Sequence, residues 1–401
     1  MAINPEFESF TGAPKYKQIY SRLRNAIVNR EFSSGDKLPS ENELVKQFGA
    51  SRPTVSRALA QLETENLVER RAGSGTFVRG EKNVGNLVFG LLIPDLGVTE
   101  IFEPICRGIS IERSGPSHDL LWGATLSPGA PVEDQARQLC EYYLQRKVSG
   151  IFFAPLELTA RNEESNRRIT AAIDEAHIPI ILLDRDIYAY PQRSKYDLVA
   201  IDHRRAGFVI ANHLIEVGVR RIIFFSRPHS APTVAMRTAG VFEAIQTSSK
   251  GKVSGWTECG DPSDVELVRT VMTRHRPDAF VCANDLTAAR LMTSLNSLGV
   301  DIPSQVKVTG FDDVRYASLL QTPLTTIRQP CLDLGATALA AMFGRIANPG
   351  TPARDYLLDF QLVVRQSTAL PASNSEALSS LANVVTGEEP VRSANNDDPE
   401  A

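Results

Sequence analysis

Two groups of side chains in this sequence have the types and spacing to do chemistry. Arg52, Thr54, Ser56 and Arg57 fall off the apolar side of a short amphipathic stretch and gather at its N-terminal end. An arginine there offers a bidentate donor pair that matches guanine, and hydroxyls serve bases or phosphates. Exposed amides at a helix start also favour a phosphate. Farther along, polar clusters follow apolar runs: Asp184-Arg185-Asp186, Arg237, Asn284-Asp285 and Asp312-Asp313. Carboxylates accept from sugar hydroxyls and guanidinium groups donate to them, while a ring such as Phe102 or Trp256 can cover an apolar sugar face. Each signal has a plainer counterpart. Arginines on a helix are commonly a solvated face. An aspartate ahead of a helix is commonly its N-cap or half of a salt link.

Other chemistries lack their signatures. The six histidines show no metal-ligand spacing, and no Cys-x-x-Cys pair occurs. There is no Gly-x-Ser-x-Gly elbow and no phosphate-binding Gly-Lys-Ser/Thr loop. No catalytic residue, metal or cofactor is therefore expected.

The elements that must position these groups span 401 residues, 42% hydrophobic and 22% charged, enough for two or three domains with real cores. The net charge of −4 argues against a uniformly basic nucleic-acid binder. It is unevenly spread: residues 1–80 carry a net +3, residues 81–371 a net −2 and residues 372–401 a net −5. The modest positive charge thus falls on the segment holding Arg52 and Arg57. The acidic last thirty residues are rich in Ser, Asn, Ala and Pro and read as a disordered tail. No apolar run approaches the roughly 18 residues of a membrane helix. The N-terminus lacks the features of a secretory signal, and five scattered cysteines suit a reducing cytoplasm.

Within residues 11–80, Tyr16, Ile19, Leu23 and Ile27 recur at helical spacing over 15–29. Ser40-Glu41-Asn42-Glu43 fits a capping box for a second helix that buries Leu44, Val45 and Phe48. Gly49-Ala50 ends it. Ser51 caps a third helix whose stripe is Val55, Leu59 and Leu62, with Pro53 tolerated in the first turn. Leu67–Arg71 and Thr76–Val78 read as two strands joined through Ala72-Gly73-Ser74-Gly75, with Arg70 and Arg71 at a cationic tip. Helix, helix, turn, helix, hairpin is a winged helix-turn-helix plan, an α+β unit whose third helix meets base edges.

Residues 81–86 read as a linker. Across 87–371, apolar strands alternate with amphipathic helices: 87–93, 120–124, 150–154, 179–183, 199–201, 222–225, 279–282 and 306–309 read as strands. Continuous apolar strands separated by helices predict a parallel doubly wound α/β fold, here in two lobes. Ligands in such folds lie at the carboxyl ends of strands, where the second polar group falls.

Resemblance sharpens both readings. Lys15-Tyr16-x-Gln18-Ile19, Gly35-x-x-Leu38-Pro39-Ser40-Glu41-x-Glu43-Leu44, Ser51-Arg52-x-Thr54-Val55 and Gly73-Ser74-Gly75-Thr76-Phe77-Val78 occur in that order. The combination resembles the GntR family of bacterial regulators. That resemblance implies DNA contacts from Lys15, Tyr16, Ser40, Glu41, Ser51, Arg52, Thr54, Ser56, Arg57, Gly73, Ser74 and Gly75. Asp202-x-x-x-Ala206-Gly207, Arg237-x-x-Gly240, Ala283-Asn284-Asp285-x-x-Ala288, Gly310-Phe311-Asp312-Asp313 and Leu324-Thr325-Thr326-Ile327-x-Gln329-Pro330 resemble the LacI-type sugar-responsive domain, which has the two-lobed periplasmic-binding-protein type I fold. It implies an effector, a small carbohydrate, between the lobes, held by Phe102, Asp184, Arg185, Arg237 and Asp285. The joint expectation is a homodimeric, cytoplasmic transcriptional repressor on palindromic operator DNA. A ligand-dependent activator and a solute-binding receptor without a DNA role are the alternatives.

Overall fold

The computed structural model describes residues 14–28, 31–32, 35–64, 67–71, 74–78, 87–93, 100–111, 117–123 and 129–369. Gly73, the expected linker 81–86 and the expected tail 372–401 lie outside them. The chain forms two compact units that part between Asn86 and Leu87.

The N-terminal unit is built as its local sequence dictates. Helix α1 (Lys15–Val28) buries Ile19, Leu23 and Ala26. Helix α2 (Glu41–Phe48) begins at the capping box: the Ser40 hydroxyl accepts from the Glu43 amide, and the Glu43 carboxylate accepts from the Ser40 N–H at 2.7 Å. These bonds hold the Glu43 carboxyl below its usual value. Gly49 ends α2 in the left-handed conformation (φ 54°), which glycine adopts at no steric cost. Helix α3 (Arg52–Thr64) turns Val55, Ala58, Leu59 and Leu62 inward. Strands β1 (Val68–Arg71) and β2 (Gly75–Val78) pair antiparallel, and Val68 and Val78 close the same core.

The larger unit has two sheets of six strands. The first is fed by β3 (Leu87–Leu92), α4 (Phe102–Ser110), β4 (His118–Leu121), α5 (Val132–Gln145), β5 (Gly150–Phe153), α6 (Asn162–Glu175), β6 (Ile180–Leu183) and β7 (Asp197–Ile201). The second holds α7 (His203–Glu216), β8 (Arg221–Ser226), α8 (Pro232–Thr247), β9 (Ser254–Cys259), α9 (Val265–His275), β10 (Ala279–Cys282), α10 (Asp285–Ser297), β11 (Lys307–Asp312) and β12 (Thr325–Arg328). Helix α11 (Cys331–Ala347) returns to the first sheet, β13 (Asp355–Leu358) adds its edge, and β14 (Gln361–Val363) crosses back. The orders are β13-β7-β6-β5-β3-β4 and β14-β12-β11-β10-β8-β9, parallel throughout except for β14 against β12. Both faces of each sheet are covered by apolar clusters, which is why the central strands read as unbroken apolar runs.

Several boundaries differ from the sequence reading. The second strand of this unit lies at His118–Leu121 rather than 120–124, and β11 extends to Asp312. Strands β9, β12, β13 and β14 were not anticipated. β9 is an edge strand with Ser, Thr and Glu among its six residues, and β12 buries Thr325 and Thr326, whose hydroxyls are satisfied at long range. Neither carries the apolar run that marks a buried parallel strand.

Helices α7 and α8 cross on glycine. A Cβ on Gly207 would sit 2.0 Å from the Arg237 carbonyl oxygen, and one on Gly240 would sit 1.8 Å from that of Arg204. Gly108 and Gly335 do the same for α4 and α11. Gly207→Ala is expected to force these backbones apart and cost about 1–3 kcal/mol. Urea unfolding followed by tryptophan fluorescence measures it, since both tryptophans, Trp122 and Trp256, lie in the larger unit.

Candidate functional site

In the N-terminal unit the residues expected at DNA divide into those that point outward and those that hold them. Arg52 is 72% exposed at the start of α3. Arg57 is exposed, its guanidinium lying 4.2 Å over the Tyr16 ring. Lys15 donates to the Gly49 carbonyl at 2.8 Å and pins α1 to the turn before α3. Ser51 and Thr54 share a hydrogen bond of 2.7 Å between their hydroxyls. Glu41 gathers cations: Arg70 Nη2 at 2.7 Å and Arg52 Nε at 3.4 Å. Arg70 also donates to Ser56 Oγ at 3.3 Å. Arg70 is thus half-buried and clamped by Glu41, not loose on a hairpin tip. Arg71 stays exposed over Phe77. Ser74 turns the hairpin by donating its N–H to the Arg71 carbonyl, and Gly75 follows at φ 116°.

In the larger unit the carboxyl ends of β6, β10, β11 and β12 and the starts of α7 and α8 converge on one charged cluster. Asp184 and Arg185 follow β6, both buried, with Asp184 at φ 67°. Asp312 and Asp313 close β11 at φ 110° and 53°. Non-glycine residues in this region persist only where their surroundings hold them there, and they gather at functional sites. Arg185 Nη1 lies 2.5 Å from Glu157 Oε1, and its Nε lies 3.3 Å from Asp184 Oδ2. Arg185 also covers the Phe102 ring at 5.5 Å. Arg237, one turn into α8, donates through Nε to His203 Nδ1 at 3.2 Å and through Nη1 to the Ala283 carbonyl at 2.5 Å, above the Phe311 ring.

The hydrogen bonds fix the proton on His203. Arg237 can only donate, so Nδ1 accepts and Nε2 carries the hydrogen, given to the Asp184 carbonyl at 3.1 Å. Burial and the Arg237 charge keep this imidazole's pKa low. Burial pushes the Asp184 carboxyl up, but Arg185, His203 and Arg237 together hold it well below the usual range. Burial opposes the Arg185 charge, yet Glu157 and Asp184 keep its pKa raised. Asp312 is pushed up to about 7 by burial and the facing Asp184, against the pull of Arg237 and the Gln329 amide, which donates at 2.9 Å.

Asp285 does not cap α10. Asn284 does, accepting from the Thr287 amide at 2.9 Å. The Asp285 carboxylate turns inward, accepting from the Thr326 hydroxyl at 2.6 Å and the Val314 N–H at 3.0 Å, and burial beside Asp312 raises its pKa strongly. Asp312 and Asp313 are not helix caps either: Asp313 pairs with Arg328 and Arg365. Asp186 accepts from Ser194 and the Tyr188 amide within its own turn. Trp256 stacks on His275 on β9, away from these partners. Glu157, His203 and Gln329 join the cluster although they were not named for it, and Asp312, named among the polar groups at strand ends, was not among the residues expected at the effector. The Gly310-Phe311-Asp312-Asp313 motif was the available signal for Asp312.

Three buried polar atoms of the cluster make no hydrogen bond: Asp184 Oδ1, Arg185 Nε and Gln329 Oε1. Arg185 Nε does lie 3.3 Å from Asp184 Oδ2, and Asp184 Oδ1 3.5 Å from His203 Nε2, but the hydrogen-bonding capacity left unused on these groups suits a small hydroxylated ligand. Among the described residues no group of three His, Cys, Asp or Glu could hold a metal, and no helix is long and apolar enough to cross a membrane.

Comparison with known proteins finds a family model matching part of each unit. The family described as "Bacterial regulatory proteins, gntR family" matches residues 15–78, and "Periplasmic binding protein-like domain" matches residues 211–368. The chain joins a gntR-type head to a periplasmic-binding-protein-like body. It is 28% identical to an arabinose metabolism transcriptional repressor of Geobacillus stearothermophilus, over 88% of this chain and 98% of that protein. It is 27% identical to the transcriptional regulator MalR of Streptomyces coelicolor, over 82% and 96%. Among solved structures, a LacI-family regulator from Enterococcus faecalis with bound ribose matches at 25% identity and a TM-score of 0.56, over 70% of this chain and 98% of that one. CcpA of Lactococcus lactis shares the fold at a TM-score of 0.59 and 17% identity, over 71% and 100%.

The raised pKa of Asp312 predicts how the body responds to pH. The folded protein keeps a proton that the unfolded chain, with an ordinary value of 3.8, releases. The associated stability is full below about pH 4 and is lost as pH rises through 7. Replacing Asp312 with Asn is expected to flatten that loss, by at most about 1.4 kcal/mol per pH unit. Urea titrations of both proteins between pH 5 and 8 give the two slopes.

Proposed function

We propose that this protein is a transcriptional repressor whose affinity for a specific operator is set by a small carbohydrate bound between the lobes of its body. The observation that carries the reading is the set of open polar atoms on Asp184, Arg185 and Gln329, buried where the strands of both sheets end. The relatives named arabinose repressors support repression over activation. The ribose-bound neighbour supports a sugar as ligand. Asp184, Arg185, Arg237 and Asp312 are the groups assigned to the effector. Phe102 backs Arg185, and Asp285 shapes the wall beneath Asp312. No catalytic role is assigned to any residue.

On the operator, Arg52, Thr54 and Arg57 address the bases and phosphates of the major groove, and Ser74 and the glycine turn lie along the backbone. Glu41, Lys15 and Tyr16 set their positions. The protein acts in the cytoplasm as a homodimer, placing two heads on the half-sites of a palindrome. Residues 81–86 serve as the joint and 372–401 as a tail. A ligand changes operator affinity only by favouring one lobe arrangement over another, and coupling of about 1–3 kcal/mol corresponds to roughly 5- to 150-fold.

Arg52→Ala is expected to weaken operator binding by about tenfold or more while leaving sugar binding intact. Fluorescence anisotropy on a selected operator, with calorimetry of the same sample, measures both. Unchanged DNA affinity would remove Arg52 from the interface. A thermal-shift screen of neutral sugars tests the body: a native-state ligand at a hundred times its Kd stabilises by about 2.7 kcal/mol, and Asp184→Asn should abolish that shift.

A further inference from the structure

The loop after β5 and the start of α6 belong to the first lobe, yet three of their hydrogen bonds involve the loop that opens α8 in the second. Glu157 lies at the centre of the loop after β5, 19% exposed. One carboxylate oxygen holds Arg185 of the polar cluster at 2.5 Å, and the other accepts the Ala231 N–H at 3.1 Å. Ala231 is the N-cap of α8 and has no side chain with which to cap it, and Pro232 at the next position has no N–H. Glu157 leaves the first-turn amides of α8 uncapped but holds the N–H of its N-cap residue from the first lobe, the return bond of a capping box made across the lobes. Beside it the Leu158 N–H donates to the His229 carbonyl at 2.6 Å, and Asn162 Nδ2 reaches the same oxygen at 3.4 Å. Leu158 and His229 both sit in the left-handed region, at φ 60° and 57°. That conformation costs energy for such residues, so the cross-lobe bonds hold both in place.

We infer that Glu157 is a positioning residue that couples the effector cluster to the closure of the lobes, one oxygen fixing Arg185 and the other fixing the head of α8. A ligand that engages Arg185 and Asp184 tightens the Glu157 arm, and α8 carries Arg237 back into the same cluster. The inference rests on the effector role proposed above and adds to it a named joint between the lobes.

Hydrogen exchange on the full chain tests it, first without sugar. Glu157→Ala is expected to speed amide exchange about tenfold in residues 154–161 and also in 228–235, leaving β5 and β8 at wild-type rates. A residue that merely shaped its own loop would move only 154–161. Glu157→Gln, which keeps an oxygen for the Ala231 N–H, should recover most of the protection at 228–235. If Glu157→Ala unfolds the body, Glu157→Gln replaces it, with about threefold faster exchange expected at 228–235. Wild-type exchange at 228–235 in the deciding variant overturns the proposal. A second arm adds arabinose: the wild type should gain protection at 228–235, and Glu157→Ala should not. Absence of any arabinose effect on the wild type counts against that sugar as effector, while the sugar-free arm still decides the joint.

Discussion

Two guanidinium groups are buried in the body of this protein, and its architecture answers to the need to compensate them. A buried charge survives only when paired and hydrogen-bonded. Arg185 meets that need with Glu157 and Asp184, and Arg237 with His203 Nδ1 and the Ala283 carbonyl. Each arginine finds its partners within its own lobe, and the His203 Nε2–H given to the Asp184 carbonyl joins the two sets. Satisfying two arginines thus fixes the ends of β5, β6 and β10 and the starts of α7 and α8 against one another. Burial, and after it the neighbouring carboxylates, raises the pKa of Asp312 and Asp285, so these acids give up part of their charge more readily than the arginines do.

The glycine crossing of α7 and α8 serves the same requirement. Arg237 reaches His203 because Gly207 lets the α8 backbone come within van der Waals distance of α7. A side chain at that position would lift Arg237 away from the imidazole and leave a buried guanidinium with one partner fewer. Packing and electrostatics are here one constraint: the helix crossing that glycine permits is also what brings the buried Arg237 to its partner.

How much of this could be read beforehand follows the range of the interactions. The N-terminal unit was legible almost residue by residue, because a capping box, a left-handed glycine and a helical stripe are local signals. The central strands of both sheets were legible from their apolar runs. The edge strands β9 and β13 were not, since they are half-solvated, and neither was the inner β12, which hides threonines whose partners lie about forty residues away. The polar site was only half legible. Asp184, Arg185 and Arg237 stood out at strand or helix ends. His203, Glu157 and Gln329 carry no local mark and acquire meaning only through Arg237, Arg185 and Asp312. Asp285 was named for the effector with capping as the plainer alternative, and it is Asn284 that caps the helix.

The contacts that order the head have a consequence of another kind. Arg57 rests on Tyr16, Arg70 and Arg52 on Glu41, and Lys15 on Gly49, all within residues 15–70. Contacts of this kind restrict the rotamers of long side chains before any partner is met. The arrangement of these cations is therefore encoded in the same short stretch of sequence that carries them.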